Sequence, residues 1–446
     1  MEQKVFDTSR LRSTYFAQAL PVVLGSVVSL IYNLADTYFI AQTGDALLVA
    51  GVSLCSPVFI LLMAFGNIYA QGGSSLISRL LGKNDRAGVR RVSAFCFYAA
   101  ILTGLLLAAP MLLFHRPLLT LLGASGQTLP YAMPYYCILA AGAPLVVLNF
   151  IHANLLRCEG QATLSMLGTS GGAVLNIILD PIFISLFGWG AAGAAIATLC
   201  GYLFTNLFLL VVVLRRSSCL SVDCRRAHIS GDSLRQILGI GVTAAIANLA
   251  QSASLILMNQ FLLPYGSEKI AALGIVLKIN MVVQMVLVGF SFGGVPLFGY
   301  LYGAKDFQKL HKLLRFCLRF LCSLALGISA LLFLLAPQLV RLFIDSGSIV
   351  SDGAAMLRWQ TAGSPFAAVV LLLTCLFQAA GKALPALLLS LSRQGVIFIA
   401  VLAAAVFIAQ YQGFLAAQLT ADLLSAALAL LLYRRAFGRG GGEAAG

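Results

Sequence analysis

Apolar runs of about twenty residues, the length that crosses a bilayer as a helix, recur along the whole chain and are separated by polar links. They start near Leu20, Leu48, Val92, Tyr131, Thr163, Ala191, Ile237, Ile270, Phe316, Trp359, Leu384 and Gly413, which predicts twelve transmembrane helices. Backbone inside a bilayer must satisfy its own hydrogen bonds, so an all-α integral membrane fold follows. With 60% hydrophobic and 10% charged residues, the chain has too little polar surface for a soluble globular domain. Met1 to Gln18 is mixed and polar, without the apolar core and cleavage site of a signal peptide.

The net charge of +14 does not point to nucleic acid, because the basic residues sit in bursts between apolar runs: Arg79 to Arg91, Arg215 to Arg235, Lys305 to Arg319 and Arg434 to Arg439. With the N-terminus placed inside, 23 Lys/Arg fall in inner loops and tails and four outside (Arg116, Lys269, Arg341, Arg358), while Lys278 and Arg393 lie within apolar runs. That asymmetry predicts a multi-pass protein of the plasma membrane with both termini cytoplasmic. Connections are short apart from three: Arg116 to Pro130 and Gln338 to Leu357 outside, and Arg215 to Arg235 inside. Most of the ten cysteines are scattered singly as small hydrophobes; Cys219 and Cys224 match no zinc spacing.

A constant offset of 221 residues relates the two halves. Gly72-Gly73 falls on Gly293-Gly294, Gly82 to Asp85 on Gly303 to Asp306, and Asn154 to Ala162 on Cys375 to Ala383. Six spans per half make the repeats parallel, a pattern transporters use to rock one half against the other. The expected organisation is an N-terminal cytoplasmic segment (1–19), an N-lobe (20–214), a cytoplasmic linker (215–236), a C-lobe (237–434) and a cytoplasmic tail (435–446).

Of fifteen Asp/Glu, only Asp36, Asp180 and Asp422 lie well inside apolar runs. A charge at that depth costs roughly 2.5–3.5 kcal/mol on insertion scales, so it normally faces a cavity or a partner. Asp180 stands in Asn176-Ile-Ile-Leu-Asp180-Pro181, with Asn176 four residues back on the same helix face. Asp36 has Asn33 one turn before it, and Pro21 is placed at the start of the same helix. Pro21 and Pro181 mark places where each helix can bend. The plainer reading is that these groups pin helices together. Against it, the 221-residue offset pairs Asp36 with Leu257, Asn154 with Cys375, Asn176 with Ile397, Asp180 with Val401 and Thr198 with Leu419. One-sided polarity points to a single ion site in the first half. Two carboxylates facing one cavity can titrate as a unit and carry a proton, or can join the oxygens of Asn176, Asn154 and Thr198 around a small hard cation such as sodium. The residues leave both open.

Elsewhere the signals are thinner. Asp422 is the deep acid of the second half, with Lys278 and Arg393 as possible partners and a structural ion pair as the alternative to a transport role. Met258, Met281 and Met285 with Phe290 and Phe292 suit an adaptable chamber or ordinary core; Tyr32, Asn33, Gln251 and Asn259 are further chamber candidates. His115, His152, His228 and His311 are dispersed, and His152 reads as a satisfied packing residue. No Walker-type loop is present.

These motifs resemble the MATE (multidrug and toxic compound extrusion) transporter family, and its DinF-like and MepA-like prokaryotic branch more than its NorM branch. The matching residues are Pro21 with Asn33 and Asp36, the glycine-rich helix end from Gln71 to Gly82, Asn154-Leu-Leu-Arg157-Cys-Glu159-Gly160, Asn176 to Pro181, and Gly190 to Thr198. The resemblance implies that Asp36, Asn154, Asn176, Asp180 and Thr198 form an N-lobe cation site and that Pro21 marks a bend of the first helix. The chain departs from NorM-like members in the seventh and tenth spans, where Asn248, Gln251 and Gln378 stand without a carboxylate.

The combined reading is a cation-coupled exporter of amphipathic organic compounds, with the proton ahead of sodium, working by alternating access in the lipid bilayer. It needs no cofactor, catalyses no reaction and binds no nucleic acid. The alternative within transport is a lipid-linked oligosaccharide flippase, a class whose cavity is basic; here the deep cations are Lys278 and Arg393. A membrane enzyme lacks a convergent catalytic cluster, and a channel fits the repeat less well.

Overall fold

A computed structural model describes residues 6–344 and 346–437, with nothing stated for the side chain of residue 267. The far ends of the expected N-terminal segment and of the tail, including Arg439, lie outside the described residues. All regular structure among the described residues is helical. The chain forms two compact units, Met1–Gly241 with Gly303–Lys305, and Val242–Tyr302 with Asp306–Gly446.

The first unit contains α1 (Leu11–Ala41), α2 (Ala46–Leu54), α3 (Ser56–Gly82), α4 (Arg86–Leu113), α5 (His115–Leu121), α6 (Leu129–Ala141), α7 (Ala143–Cys158), α8 (Ala162–Pro181) and α9 (Gly190–Arg216). The second is built from α10 (Gly231–Leu262), whose first turns belong to the first unit, then α11 (Ser267–Gly293), α12 (Val295–Gly303), α13 (Phe307–Arg341), α14 (Gly347–Ala362), α15 (Ser364–Ala379), α16 (Ala383–Gln394) and α17 (Val396–Phe437). Among the described residues, nine helical stretches are long and apolar enough to cross a membrane, or eleven if two bent pairs each count as one. Large apolar side chains such as Leu106 (65% exposed) and Phe407 (90%) stay on the outside, as lipid permits and water does not. The protein is a multi-pass membrane protein.

Helix starts differ from the sequence expectation in a consistent direction. Apolar runs mark the hydrocarbon layer, whereas the helices project beyond it. α1 begins at Leu11, so Pro21 lies inside the helix and not at its start. α13 begins at Phe307 with a basic turn, nine residues before the run at Phe316. The two expected outer connections are largely helical: α5 and the start of α6 occupy much of 116–130, and α13 and α14 take most of 338–357. α17 runs past Gly413 without ending there, its helical path broken at Gln410 by φ 49°, ψ −126°.

Several backbone details recur at the 221-residue offset. Asn84 and Lys305 both adopt positive φ (60° and 56°), as do Gly160 and Gly381 (82° and 74°). Asp85 caps α4 by accepting from Gly88 N at 2.8 Å, and Asp306 caps α13 by accepting from Lys309 N at 3.1 Å. Lys309 Nζ lies 2.9 Å from Asp306 and its hydrogen bond holds that carboxyl below its ordinary range. The bends match as well: α6 and α7 meet at 52° around Gly142, α14 and α15 at 44° around Gly363, each followed by a proline (Pro144, Pro365) in the first turn of the next helix. Proline there lacks the donor that would continue the preceding helix, so the bend is built into the sequence.

The link after α9 is held down by side chains. Glu159 Oε1 accepts from Ser217 Oγ (2.8 Å), Cys219 N (2.7 Å) and Leu220 N (3.2 Å). Ser93 Oγ accepts from Ser221 N at 2.9 Å, and Tyr98 donates to Val222 O at 2.8 Å. Hydrogen bonds to a charged group contribute ~1.5–3 kcal/mol. Glu159→Ala is therefore expected to speed amide hydrogen exchange at Cys219 and Leu220 by roughly tenfold or more, while the exchange of α8 stays unchanged; hydrogen-exchange mass spectrometry of the purified protein reads both.

Candidate functional site

α8 packs between α1 and α9, and glycines set the closeness of its contact with α9. A Cβ on Gly201 would come within 2.7 Å of the Gly172 carbonyl oxygen, and one on Gly172 within 2.5 Å of the Gly201 oxygen. Only glycine permits this backbone-to-backbone seam. One turn further along α8, Asn176 reaches Thr198 on α9, and Asp180 stands one turn beyond Asn176.

Asp180 is fully buried, Asn176 2% exposed and Thr198 5%. Asn176 Nδ2 donates to Asp180 Oδ1 at 3.4 Å and to Thr198 Oγ1 at 3.5 Å. These are long bonds, and Asp180 Oδ2 and Asn176 Oδ1 are buried without a partner. Asp36 Oδ1 is likewise buried and unpartnered. Buried polar atoms nearly always find a partner, so three open oxygens in one region leave acceptor capacity unspent there. The chemistry available is uptake of a proton by a carboxylate or of a cation by oxygen.

Two cavities serve this region. One, of about 320 Å³, is lined by Asp36, Tyr32, Tyr135 and Thr198; the other, of about 340 Å³, by Asn154, Asn176, Thr198, Tyr202 and Arg157. Tyr32, Asn33, Phe59 and Thr198 line both. Asn154 lines the second cavity, but its amide nitrogen is spent on Phe150 O of its own helix at 2.8 Å. Pro181 ends α8 and is followed by a π-helical turn, Ile182–Leu186, a local widening that is frequent at functional sites. Pro21 is buried in the middle of α1.

The remaining candidates divide. Gln251 and Met258 line a cavity of the second unit together with Asp422; Asn259 and Met285 line none of the cavities named here. Asp422 pairs with Arg393 at 3.0 Å, and Lys278 is exposed. His152 packs beside Phe97, ring centroids 5.2 Å apart, yet its Nδ1 has no partner, so it is not the satisfied histidine expected. Arg157, assigned to a loop by its position after an apolar run, instead lines the first-unit cavity and donates to Ser165 Oγ at 3.2 Å. Among the described residues, the cations that line these cavities are Arg157 and Arg393, and Lys278 lines none of them. Tyr202 was missed, although its place four residues after Thr198 puts it on the same helix face.

The family model for MatE matches residues 21–182 and 243–407. The chain belongs to the MatE family. It is 30% identical over 397 residues to the multidrug export protein MepA of Staphylococcus aureus, covering 89% of this chain and 88% of that protein. MepA of Staphylococcus saprophyticus is 28% identical over 397 residues with the same coverage. A solved structure described as an outward-facing conformation of a multidrug resistance MATE family transporter of the MOP superfamily superposes with a TM-score of 0.89 at 26% identity, covering 98% of each chain.

In this MatE chain the seam is the element that positions the acid. Gly201→Leu is expected to overpack it at a cost of about 1–3 kcal/mol, lowering the melting temperature of the purified protein. An equal loss for Gly274→Leu, where a Cβ meets open space, would show the seam to be unimportant.

Proposed function

We propose that this MatE chain exports drug-sized organic compounds across the plasma membrane by alternating access, driven by cation entry at Asp36 and Asp180. The observation that carries the reading is the buried Asp180–Asn176–Thr198 group with its unpartnered oxygens, next to a cavity that Asp36 shares through Tyr32 and Thr198. The names of the relatives, multidrug export protein and multidrug resistance transporter, support the substrate class. The activity is transport, not catalysis.

The proton is favoured over sodium. Asn176 turns its NH2 towards both Asp180 and Thr198, so a donor rather than an oxygen points into the group. That suits an ionised carboxylate waiting for a proton better than it suits an oxygen cage. In the proposed cycle, protons from outside neutralise Asp36 and Asp180, α1 bends near Pro21, where the proline leaves a carbonyl unbonded, and the substrate is expelled; release inside resets the site. One charge moving inward across 100 mV supplies about 2.3 kcal/mol, enough for roughly a fifty-fold gradient of a neutral compound.

The proposed frame is two six-helix lobes, 20–214 and 237–434, joined by the 215–236 linker, with the 1–19 segment, the 435–446 tail and both termini cytoplasmic. The matching caps, bends and positive-φ residues at the 221-residue offset support the repeat. The stretch Ala383–Phe437 has 55 residues, about 80 Å at 1.5 Å per residue, far beyond a hydrocarbon layer of about 30 Å. Dividing it at Gln410 turns eleven stretches into twelve spans.

Proteoliposomes with an imposed gradient and ethidium as substrate test the coupling. Asp180→Asn and Asp36→Asn are each expected to reduce gradient-driven uptake at least tenfold, and a proton gradient is expected to drive the parent where a sodium gradient does not. Parent-like uptake by both variants would sink the assignment.

A further inference from the structure

The second unit contains an open cavity of about 390 Å³, inside the roughly 300–1,000 Å³ range of ligand pockets. Its polar wall is mostly carboxamide: Gln251, Asn280, Gln284, Gln360, Gln394 and Gln418 all reach it. Arg393 Nε donates to Asp422 Oδ1 at 3.0 Å, the two side chains being 9% and 2% exposed, and Gln418 Nε2 donates to the same oxygen at 3.2 Å. The other Asp422 oxygen lies 2.7 Å from where a Cβ on Gly363 would stand, so the bend between α14 and α15 admits the carboxylate only because that residue is glycine.

Two observations point to a ligand. First, the backbone is interrupted at the cavity. α16 ends at Gln394, Gly395 takes φ −141°, ψ −116°, and α17 begins at Val396. Ser254 Oγ donates to the Gln394 carbonyl at 2.6 Å. Interrupted helices at membrane depth survive where they line a cavity, and transporters hold substrates at such places. Second, the 221-residue offset places Arg393 on Gly172 and Asp422 on Gly201, the two glycines whose backbones touch in the first unit. Gly395 falls on Val174, within the unbroken α8. Where the first unit closes a seam, the second spans the same positions with two long polar side chains, beside an amide-lined space.

The chemistry of the wall selects the occupant. Carboxamides donate and accept equally and carry no charge. Asp422 is already held by Arg393, which leaves no free carboxylate to draw a cation. We propose that this cavity binds uncharged solutes bearing amide and hydroxyl groups. The inference deepens the export reading and rests on it for the use of the site, while binding is measurable without transport.

The test uses the full chain in lipid nanodiscs, with equilibrium binding of radiolabelled chloramphenicol, an uncharged amide with two hydroxyls, and of ethidium, a cation. Gln251 and Gln284 have no hydrogen-bond partner among the described residues, so replacing them leaves the fold intact. The Gln251→Leu, Gln284→Leu double variant is expected to weaken chloramphenicol binding by roughly tenfold or more and to leave ethidium within twofold. The paired variant Arg393→Gln with Asp422→Asn, which keeps the cavity uncharged, is expected to retain chloramphenicol binding within threefold. Absence of saturable chloramphenicol binding in the parent, unchanged binding in the Gln251/Gln284 variant, or equal loss of both probes overturns the proposal. Failure of the parent to transport ethidium, with chloramphenicol binding behaving as expected, counts against the export reading alone.

Discussion

A carboxylate cut off from water has to be compensated locally, and Asp180 sets the terms for the first unit. Burial of an ionised group is tolerated only with a partner or with a proton. Asp180 has one long hydrogen bond from Asn176 and a second oxygen with none. The glycine seam between α8 and α9 brings Thr198 close enough to share that amide, and Pro181 ends α8 directly after the acid. Each neighbouring feature limits how well Asp180 can be satisfied. A fully bonded carboxylate would have no acceptor capacity left, whereas this one keeps an oxygen open.

The second unit answers the same physical problem differently. Its deep acid is paired with a guanidinium and accepts a further hydrogen bond from a carboxamide. A buried pair of that kind is often no more stabilising than apolar residues of the same volume, so its presence is better explained by the polar space it lines than by stability. The two units thus carry unlike interiors, one with open oxygens and one with a paired charge.

Much of this was legible in the sequence because membranes allow few solutions. Apolar length forces helices, and the four-residue spacing of Asn176 and Asp180 places both on one face. What stayed hidden depends on neighbours distant in the chain. Nothing in the local pattern says that Arg393 rather than Lys278 meets Asp422, since that choice is made by the packing of α16 against α17. Arg157 reads as a loop cation because it follows an apolar run, yet α7 continues to Cys158 and its side chain turns back into the cavity. Apolar runs begin after the helices do because hydrophobicity reports the lipid boundary, and capping residues such as Asp85 and Asp306 lie outside it.

The anchored link after α9 bears on how the molecule can be handled. Residues 217–222 are bound by Glu159, Ser93 and Tyr98, whereas Ala227 to Ser230 run between the 3₁₀ turn and α10 with His228 and Ser230 exposed. Tolerance to insertion follows burial and hydrogen bonding of the backbone. A reporter domain, an affinity tag or a protease site therefore belongs in residues 227–229, ahead of Ser230, which caps α10 by accepting from Ser233 N, and the same cargo placed in 217–222 would break the hydrogen bonds that tie the link to α4 and to Glu159.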